Sequence, residues 1–286
     1  MRAVVSFTVI ILLFSSCVKN NPDPSWLEVN EWTLNSNVEL SGEEGELTHR
    51  ITNAKVYVND DLLGIFEVPF RIPVLKSGYC NIKIYPVVIN NGISASKIQY
   101  PFLNYYETNA DLLQNEVLEL NPVTNYKSVT NFWIEDFEDI NNSIDHDLNS
   151  ACTMILSNED LNDFNGNFYG KVVLNETDST WIAYTTTQLA IVNGSKCFLE
   201  LDYYVTNDLY TGLVFVSPAG STNNINIRLN SQAPEDAIWK KIYIELSELV
   251  AASSNDTNFL QSFTAFLDEG DSEGIILLDN IKVLWY

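Results

Sequence analysis

The sequence is poor in cations. Its 286 residues hold 15 Lys and Arg against 38 Asp and Glu, a formal charge of −23. No basic cluster occurs, and a phosphate backbone is bound through a Lys/Arg surface, so nucleic acid is excluded as a partner. Histidine is scarcer still. His49 and His146 stand far apart without metal-ligand spacing, and no Cys-x-x-Cys occurs, which argues against a zinc site. There is no H-E-x-x-H, nucleophile elbow or Gly-rich phosphate loop. With 38 acids, carboxylate pairs arise by chance, so they do not by themselves indicate a glycosidase. The expectation is a protein that is not an enzyme. The acids are dispersed among many aromatic and β-branched residues, which argues against disorder.

What is present begins with the first seventeen residues. Arg2 is followed by a run from Val4 to Phe14 that is apolar apart from Ser6 and Thr8, then by Ser15, Ser16 and Cys17. This is the layout of a secretory signal, too short to span a bilayer stably. Phe14-Ser15-Ser16-Cys17 resembles the lipobox of bacterial lipoproteins, with Phe14 where that family usually carries Leu, Val or Ile. The resemblance implies a signal peptide over residues 1–16, lipidation of Cys17 and a membrane partner through that anchor, at the outer membrane. The alternative is an ordinary cleaved signal with an incidental cysteine. Residues 17–26, with Pro22 and Pro24, read as a short extended tether. Surface lipoproteins of the Bacteroidota, which this leader resembles, often carry acids soon after the cysteine. Val18 to Asp23 contains one, which leaves surface-exposed and periplasm-facing orientations both open.

Cys80, Cys152 and Cys197 remain, and three cannot all pair within one chain. Cys152 and Cys197 fall in one predicted domain and form the candidate disulfide. The other reading is three thiols acting as small apolar residues.

The rest of the chain reads as all-β, in two domains. Over residues 27–103, Ala54, Val56 and Val58 alternate with Lys55 and Tyr57, the period of a half-buried strand. Asn59-Asp60-Asp61 and Asn90-Asn91-Gly92 are turn signals. Short strands at this spacing predict a β-sandwich, and the pattern from Val56 through Gly64 resembles immunoglobulin-like modules of exported lipoproteins. Residues 104–129 read as a linker. Within it Ala110 to Leu120 forms a short helix capped by Asn109, or an irregular strand. Over residues 130–286, Cys197, Leu199, Leu201, Tyr203 and Val205 take one strand face and Phe198, Glu200, Asp202 and Tyr204 the other. Ile275, Leu277, Ile281, Val283 and Trp285 share one phase of the last strand, and Ser247 to Ala252 holds a helical turn. A jelly roll accommodates this many strands.

Trp133 to Asp139, Gly170 to Leu174, Trp239 to Ile244 and Leu278 to Val283 occur in an order that resembles the jelly-roll carbohydrate-binding modules. In these a first-strand Phe-Glu and a last-strand Asp-Asn-Ile lie side by side. The resemblance implies a structural Ca2+ held by Glu138 and Asp279, with Asp136, since hard oxygen ligands suit that ion. Asp279 falls in phase with Leu277 and Ile281, where a carboxylate needs a partner; capping a turn or bulge would also supply one. Sandwiches that bind sugars use solvent-facing aromatic rings with polar neighbours. Tyr204, Trp181, Tyr184 and Tyr210 are the candidates, beside Asn226 and Arg228. Any one of these aromatics is also a good strand residue that packs across neighbouring strands. The expected function is binding of glycan or another extracellular ligand. The alternative is a structural accessory subunit of an outer-membrane complex, with an envelope protein as partner.

Overall fold

The computed structural model describes residues 23–139, 142–159 and 166–286. The leader and Cys17 lie outside them. The first unit comprises β1 (Ser25–Val29), β2 (Thr33–Leu34), β3 (Asn53–Val58), β4 (Asp61–Glu67), β5 (Phe70–Val74), β6 (Gly78–Ile89), β7 (Lys97–Gln99), β8 (Tyr106–Leu112), β9 (Val117–Leu120) and β10 (Val123–Thr124). One sheet runs β4-β3-β6-β7 with β8 also paired to β6; a second runs β5-β1-β9, and β10 pairs β2. Ala54, Val56 and Val58 turn inward as the alternation predicts. Asn59 and Asp60 follow with φ of 50° and 64°. Both are left-handed, the hairpin geometry whose twist matches that of the flanking strands.

Residues 104–129 are not a linker, and the helix over Ala110 to Leu120 does not form. Tyr106, Thr108, Ala110 and Leu112 alternate with more exposed residues along β8, which pairs with β6 from Gly78 to Ile84. Asn115, at φ 63°, turns the chain into β9 beside β1. Twelve-residue β6 presents a backbone edge that needs a partner. Pairing there outweighs a weak local helix preference.

The second unit comprises β11 (Asn131–Glu135), β12 (Ile144–His146), β13 (Ile155–Ser157), β14 (Tyr169–Asn175), β15 (Thr180–Thr185), β16 (Cys197–Val205), β17 (Leu209–Ser217), β18 (Gly220–Leu229), β19 (Lys240–Glu245), a short helix α1 (Ser247–Ala252), β20 (Asn258–Phe266) and β21 (Glu273–Trp285). Sheet one runs β13-β14-β21-β16-β19, with β11 paired to β21, and sheet two runs β12-β15-β20-β17-β18. All of these pairs are antiparallel. The two sheets enclose one apolar core and form the expected jelly-roll sandwich.

The last strand does not keep one phase. Opposite the step from Glu200 to Asp202, the partner position on β21 moves from Lys282 to Asp279. The extra residue is a bulge at Asn280, whose φ is 46°. Ile276, Leu278, Ile281 and Val283 therefore face the core. Leu277 and Asp279, then Lys282 and Leu284, take the opposite face. The expected disulfide is also absent, since Cys152 and Cys197 are both free thiols. Cys197 pairs with Trp285 at one end of β21, whereas Cys152 lies against Thr180, toward the Glu273 end. A disulfide needs Cα atoms within ~7 Å.

The first unit docks on the outer face of sheet one. Phe198, Tyr243 and Leu284 join its core. Between them lies buried Glu200, which accepts hydrogen bonds from the Tyr100 hydroxyl at 2.7 Å and the Tyr126 hydroxyl at 2.9 Å. Lys241 Nζ sits 3.7 Å from Glu200 and 3.3 Å from Asp202. Lys282, fully buried, donates to the carbonyls of Glu44 and Glu46, and burial draws its pKa down to about 8. Burial, then the neighbouring Glu200 carboxylate, pushes the Tyr100 and Tyr126 phenols well above their usual range.

Two predictions follow from this packing. Glu200→Ala leaves two buried hydroxyls and Lys241 without their shared acceptor, and is expected to lower stability by about 3–5 kcal/mol in urea unfolding. A loss below about 1 kcal/mol, the scale of a surface pair, would refute the central role of Glu200. The second concerns Asp279, whose carboxyl is pushed up to about 8, by burial first and then by the carboxylates of Asp202, Asp136 and Glu138, against the Asn280 N–H that it accepts. Unfolded, it ionises near pH 4. Its contribution is therefore fully present below that pH and is lost as pH rises through about 8. Asp279→Asn retains an acceptor for the Asn280 N–H; its new amide replaces the oxygen that now accepts from Asn280 Nδ2, and a turn of the Asn280 amide presents to it Oδ1, which has no partner among the described residues. The variant should melt like the parent at pH 4 and several degrees higher at pH 9, in EDTA. A shift of equal size at both pH values would contradict the assignment.

Candidate functional site

The alternation of β15 separates the aromatic candidates. Trp181 and Ala183 turn into the core, where Trp181 is fully buried and stacks on Phe263 at 6.1 Å between centroids and 13° between planes. Trp181 is therefore a core residue and not a sugar platform. Ile182 and Tyr184 take the outward face. The registers of β12, β15, β20, β17 and β18 place Asp145, Tyr184, Ser262 and Gly212 in one outward row. Ile182, Thr264, Tyr210 and Arg228 make the next. Strands lie ~4.8 Å apart and rise ~3.3 Å per residue, so the two tyrosines, on either side of β20 and two residues out of step, stand ~12 Å apart on the diagonal.

Between them Ser262 and Thr264 form a buried polar floor. Ser262 Oγ donates to Asn223 Oδ1 at 2.9 Å. The Tyr184 hydroxyl donates to Asp147 Oδ2, and Arg228 pairs with Asp208. A register shift between Thr211 and Gly212 lets β18 approach closely. A Cβ at Gly212 would lie 2.0 Å from the Asn224 carbonyl oxygen, so the bulge requires glycine. The same shift turns Asn226 away from this face, and its amide donates to the Glu245 carbonyl of sheet one. Asn226 thus braces the two sheets and leaves Arg228 as the polar neighbour of Tyr210.

Tyr204 lies on the opposite side of the sandwich, on the outer face of sheet one, 6.3 Å from Trp239. It does not join Tyr184 and Tyr210. Ser262, Thr264, Asp145 and Asp147 escaped the sequence reading. The alternation Ser262-Phe263-Thr264-Ala265 was the signal that could have found the first two, because small polar residues in phase on a central strand mark its non-core face.

The three residues expected to hold Ca2+ each accept hydrogen bonds from nearby N–H groups, while the charges of Asp136 and Glu138 also act on Asp279. Glu138 accepts the N–H groups of Asn167 at 2.7 Å and Phe168 at 3.2 Å, which outweigh the effect of burial and hold its pKa below the usual value. Asp136 accepts the Glu138 N–H at 3.3 Å, and Asp279 accepts the backbone and side-chain N–H groups of Asn280 at 2.7 and 2.9 Å. Among the described residues no three His, Cys, Asp or Glu side chains are grouped to hold a metal ion.

No family model matches the chain, and no curated protein does. Among solved structures it is similar to a carbohydrate-binding module specific for non-crystalline cellulose, at 16% identity over 51% of this chain and 91% of that one, with a TM-score of 0.37. It is similar to a β-sandwich carbohydrate-binding module of promiscuous specificity, at 14% identity over 82% of this chain and 84% of that one, again with a TM-score of 0.37. A third is the family 11 module of a cellulosomal cellulase of Clostridium thermocellum, at 15% identity over 54% and 94% of the two chains and a TM-score of 0.36.

Proposed function

We propose that this is a lipid-anchored, non-catalytic envelope protein that binds an oligosaccharide on the outward face of sheet two. The observation that carries the reading is Tyr184 and Tyr210, partly exposed on alternate strands over a polar floor. That face is the one the first unit leaves uncovered, because the first unit occupies sheet one. A tyrosine ring offers a flat apolar surface to the C–H face of a pyranose and keeps a polar tip for its rim. Tyrosines ~12 Å apart suit a chain of sugars better than a single one. The anchor rests on the leader and on Cys17 in its resemblance to a lipobox; no helix among the described residues is long and apolar enough to cross a membrane.

Tyr184→Ala and Tyr210→Ala are each expected to weaken binding at least about tenfold on affinity gels against soluble polysaccharides. Tyr204→Ala, on the far side of the sandwich, should bind as the parent does. Unchanged retention for both sheet-two variants would remove this face from consideration. Stoichiometric recovery of an envelope protein from detergent-solubilised membranes, with no glycan retained, would replace the reading with that of a complex subunit. Cys17→Ala is expected to move the protein from the membrane pellet to the soluble fraction; a variant that still pellets would rule out the anchor.

A further inference from the structure

Among the described residues, nearly every cationic head group has a partner. Lys76, Lys83, Lys171, Lys196, Arg228 and Lys241 are in ion pairs. Lys127 and Lys282 donate to carbonyls, and Lys55 and Arg71 lie over aromatic rings. Arg50, Lys97 and Lys240 are left without such a partner, and two of these three line the same cleft.

The cleft lies where the two units meet. One lobe, of about 270 Å³, is lined by Arg50, Thr52, Ser94, Tyr203 and Lys240. A second, of about 260 Å³, shares Gly92, Tyr203, Lys240 and Ile242 with it and continues past Asn230 and Ser231 toward Arg228. Both lobes together make a trough of the size of small-ligand sites.

The walls are held by bonds that cross the junction. The Asn91 N–H donates to the Tyr243 carbonyl at 2.8 Å, and the Glu245 N–H donates to Asn91 Oδ1 at 2.9 Å. This seats the turn between β6 and β7 on the edge of β19. Gly92, at φ 70°, passes Ile242 so closely that a Cβ would lie 3.2 Å from its Cδ1. The Arg50 N–H donates to the Tyr243 hydroxyl at 2.8 Å, which fixes the backbone from which the guanidinium extends.

The nearby acids do not neutralise these two cations. Asp202 and Glu200 belong to Lys241, and Asp208 belongs to Arg228. Glu31 and Glu67 line an adjoining cavity on the other side of Arg50 without an ion pair to it. In a chain of charge −23, an uncompensated pair of cations in a built cleft is an anion-recognising feature. At physiological ionic strength charges beyond ~8 Å are largely screened, so the local pair dominates. The remaining wall is hydroxyl, amide and one tyrosine, which suits a polyhydroxylated body.

We propose that this cleft binds an anionic saccharide, whose carboxylate or sulfate is taken by Arg50 and Lys240 and whose hydroxyls meet Thr52, Ser94, Asn230 and Ser231. A guanidinium binds such planar or tetrahedral oxyanions in bidentate fashion, and the ammonium adds a point charge. The proposal rests on the saccharide reading above but uses a different site from Tyr184 and Tyr210.

The test is calorimetric titration of the full chain with trigalacturonate, with a sulfated galactan trisaccharide and with the carboxyl-reduced neutral counterpart of the first. The variants are Arg50→Gln, Lys240→Gln and Tyr184→Ala, with melting curves to confirm folding. Neither replaced head group holds a structural hydrogen bond among the described residues, so both variants should fold. At least one anionic trisaccharide is expected to bind more tightly than the neutral one. Its affinity should fall about tenfold or more in each cation variant and stay unchanged in Tyr184→Ala. Binding of neutral glycan through Tyr184, with none of the anionic probes affected by Arg50→Gln, would overturn this inference and leave the proposed function standing. No binding of any saccharide would sink both. Binding of poly-L-glutamate with the same Arg50 dependence, and of no saccharide, would show that the cleft takes an acidic peptide.

Discussion

The architecture depends on one buried carboxylate. Glu200 sits on the outer face of sheet one, closed off from water by the first unit, and gathers the hydroxyls of Tyr100 and Tyr126 and the ammonium of Lys241. A carboxylate in such a place is tolerated only when its lone pairs are occupied. The hydroxyls come from the first unit and the ammonium from β19 of the second. The relative position of the two sandwiches is thereby tied to a hydrogen-bond geometry as well as to apolar contact. Rings packed around it, Tyr100 against Phe198 at 5.4 Å and against Tyr243 at 5.0 Å, exclude the water that would otherwise weaken it.

That docking makes the two outer faces of the jelly roll unequal. Sheet one is covered by the first unit through its central strands, and its aromatic pair, Tyr204 and Trp239, lies on that same side. Sheet two is left open. Its outward rows mix hydroxyls with two tyrosines because β20 places Phe263 and Ala265 in the core and leaves Ser262 and Thr264 outside. The junction creates a second concavity that neither sandwich has alone, since its lining comes from the first unit on one side and from Tyr203 and β19 on the other.

Period-two alternation made the all-β character, the strand at Ala54 to Val58 and the core face of β16 legible, because each buries one face against a facing sheet. The signal failed wherever that periodicity is interrupted. The bulge at Asn280 adds one residue to β21, so the phase read from Leu277 through Ile281 changes face midway. The shift beside Gly212 did the same for Asn226. Trp181 was misread because a large aromatic has the same strand propensity on either face, and only the neighbouring Ala183 and Thr185 indicate its direction. The segment Tyr106 to Leu120 was lost because its conformation is set by the unpaired edge of β6, which is distant in sequence. The cleft was illegible for a similar reason. Arg50 and Lys240 are 190 positions apart, and their lack of partners shows only once the other cations have been placed.

The placement of those cations makes the net charge informative. An excess of 23 negative charges would set the surface against anionic ligands if spread evenly. The fold instead buries Lys241 and Lys282 at the junction and pairs Lys76 and Lys83 with Asp61 and Asp60 on the first unit. Arg50 and Lys240 then stand out against an acidic background at a cleft whose position is set by the Glu200 contact beneath it. The same junction that covers sheet one also forms the recess lined by Arg50 and Lys240. Recognition on sheet two and recognition at the junction are in this way both consequences of how the two sandwiches are joined.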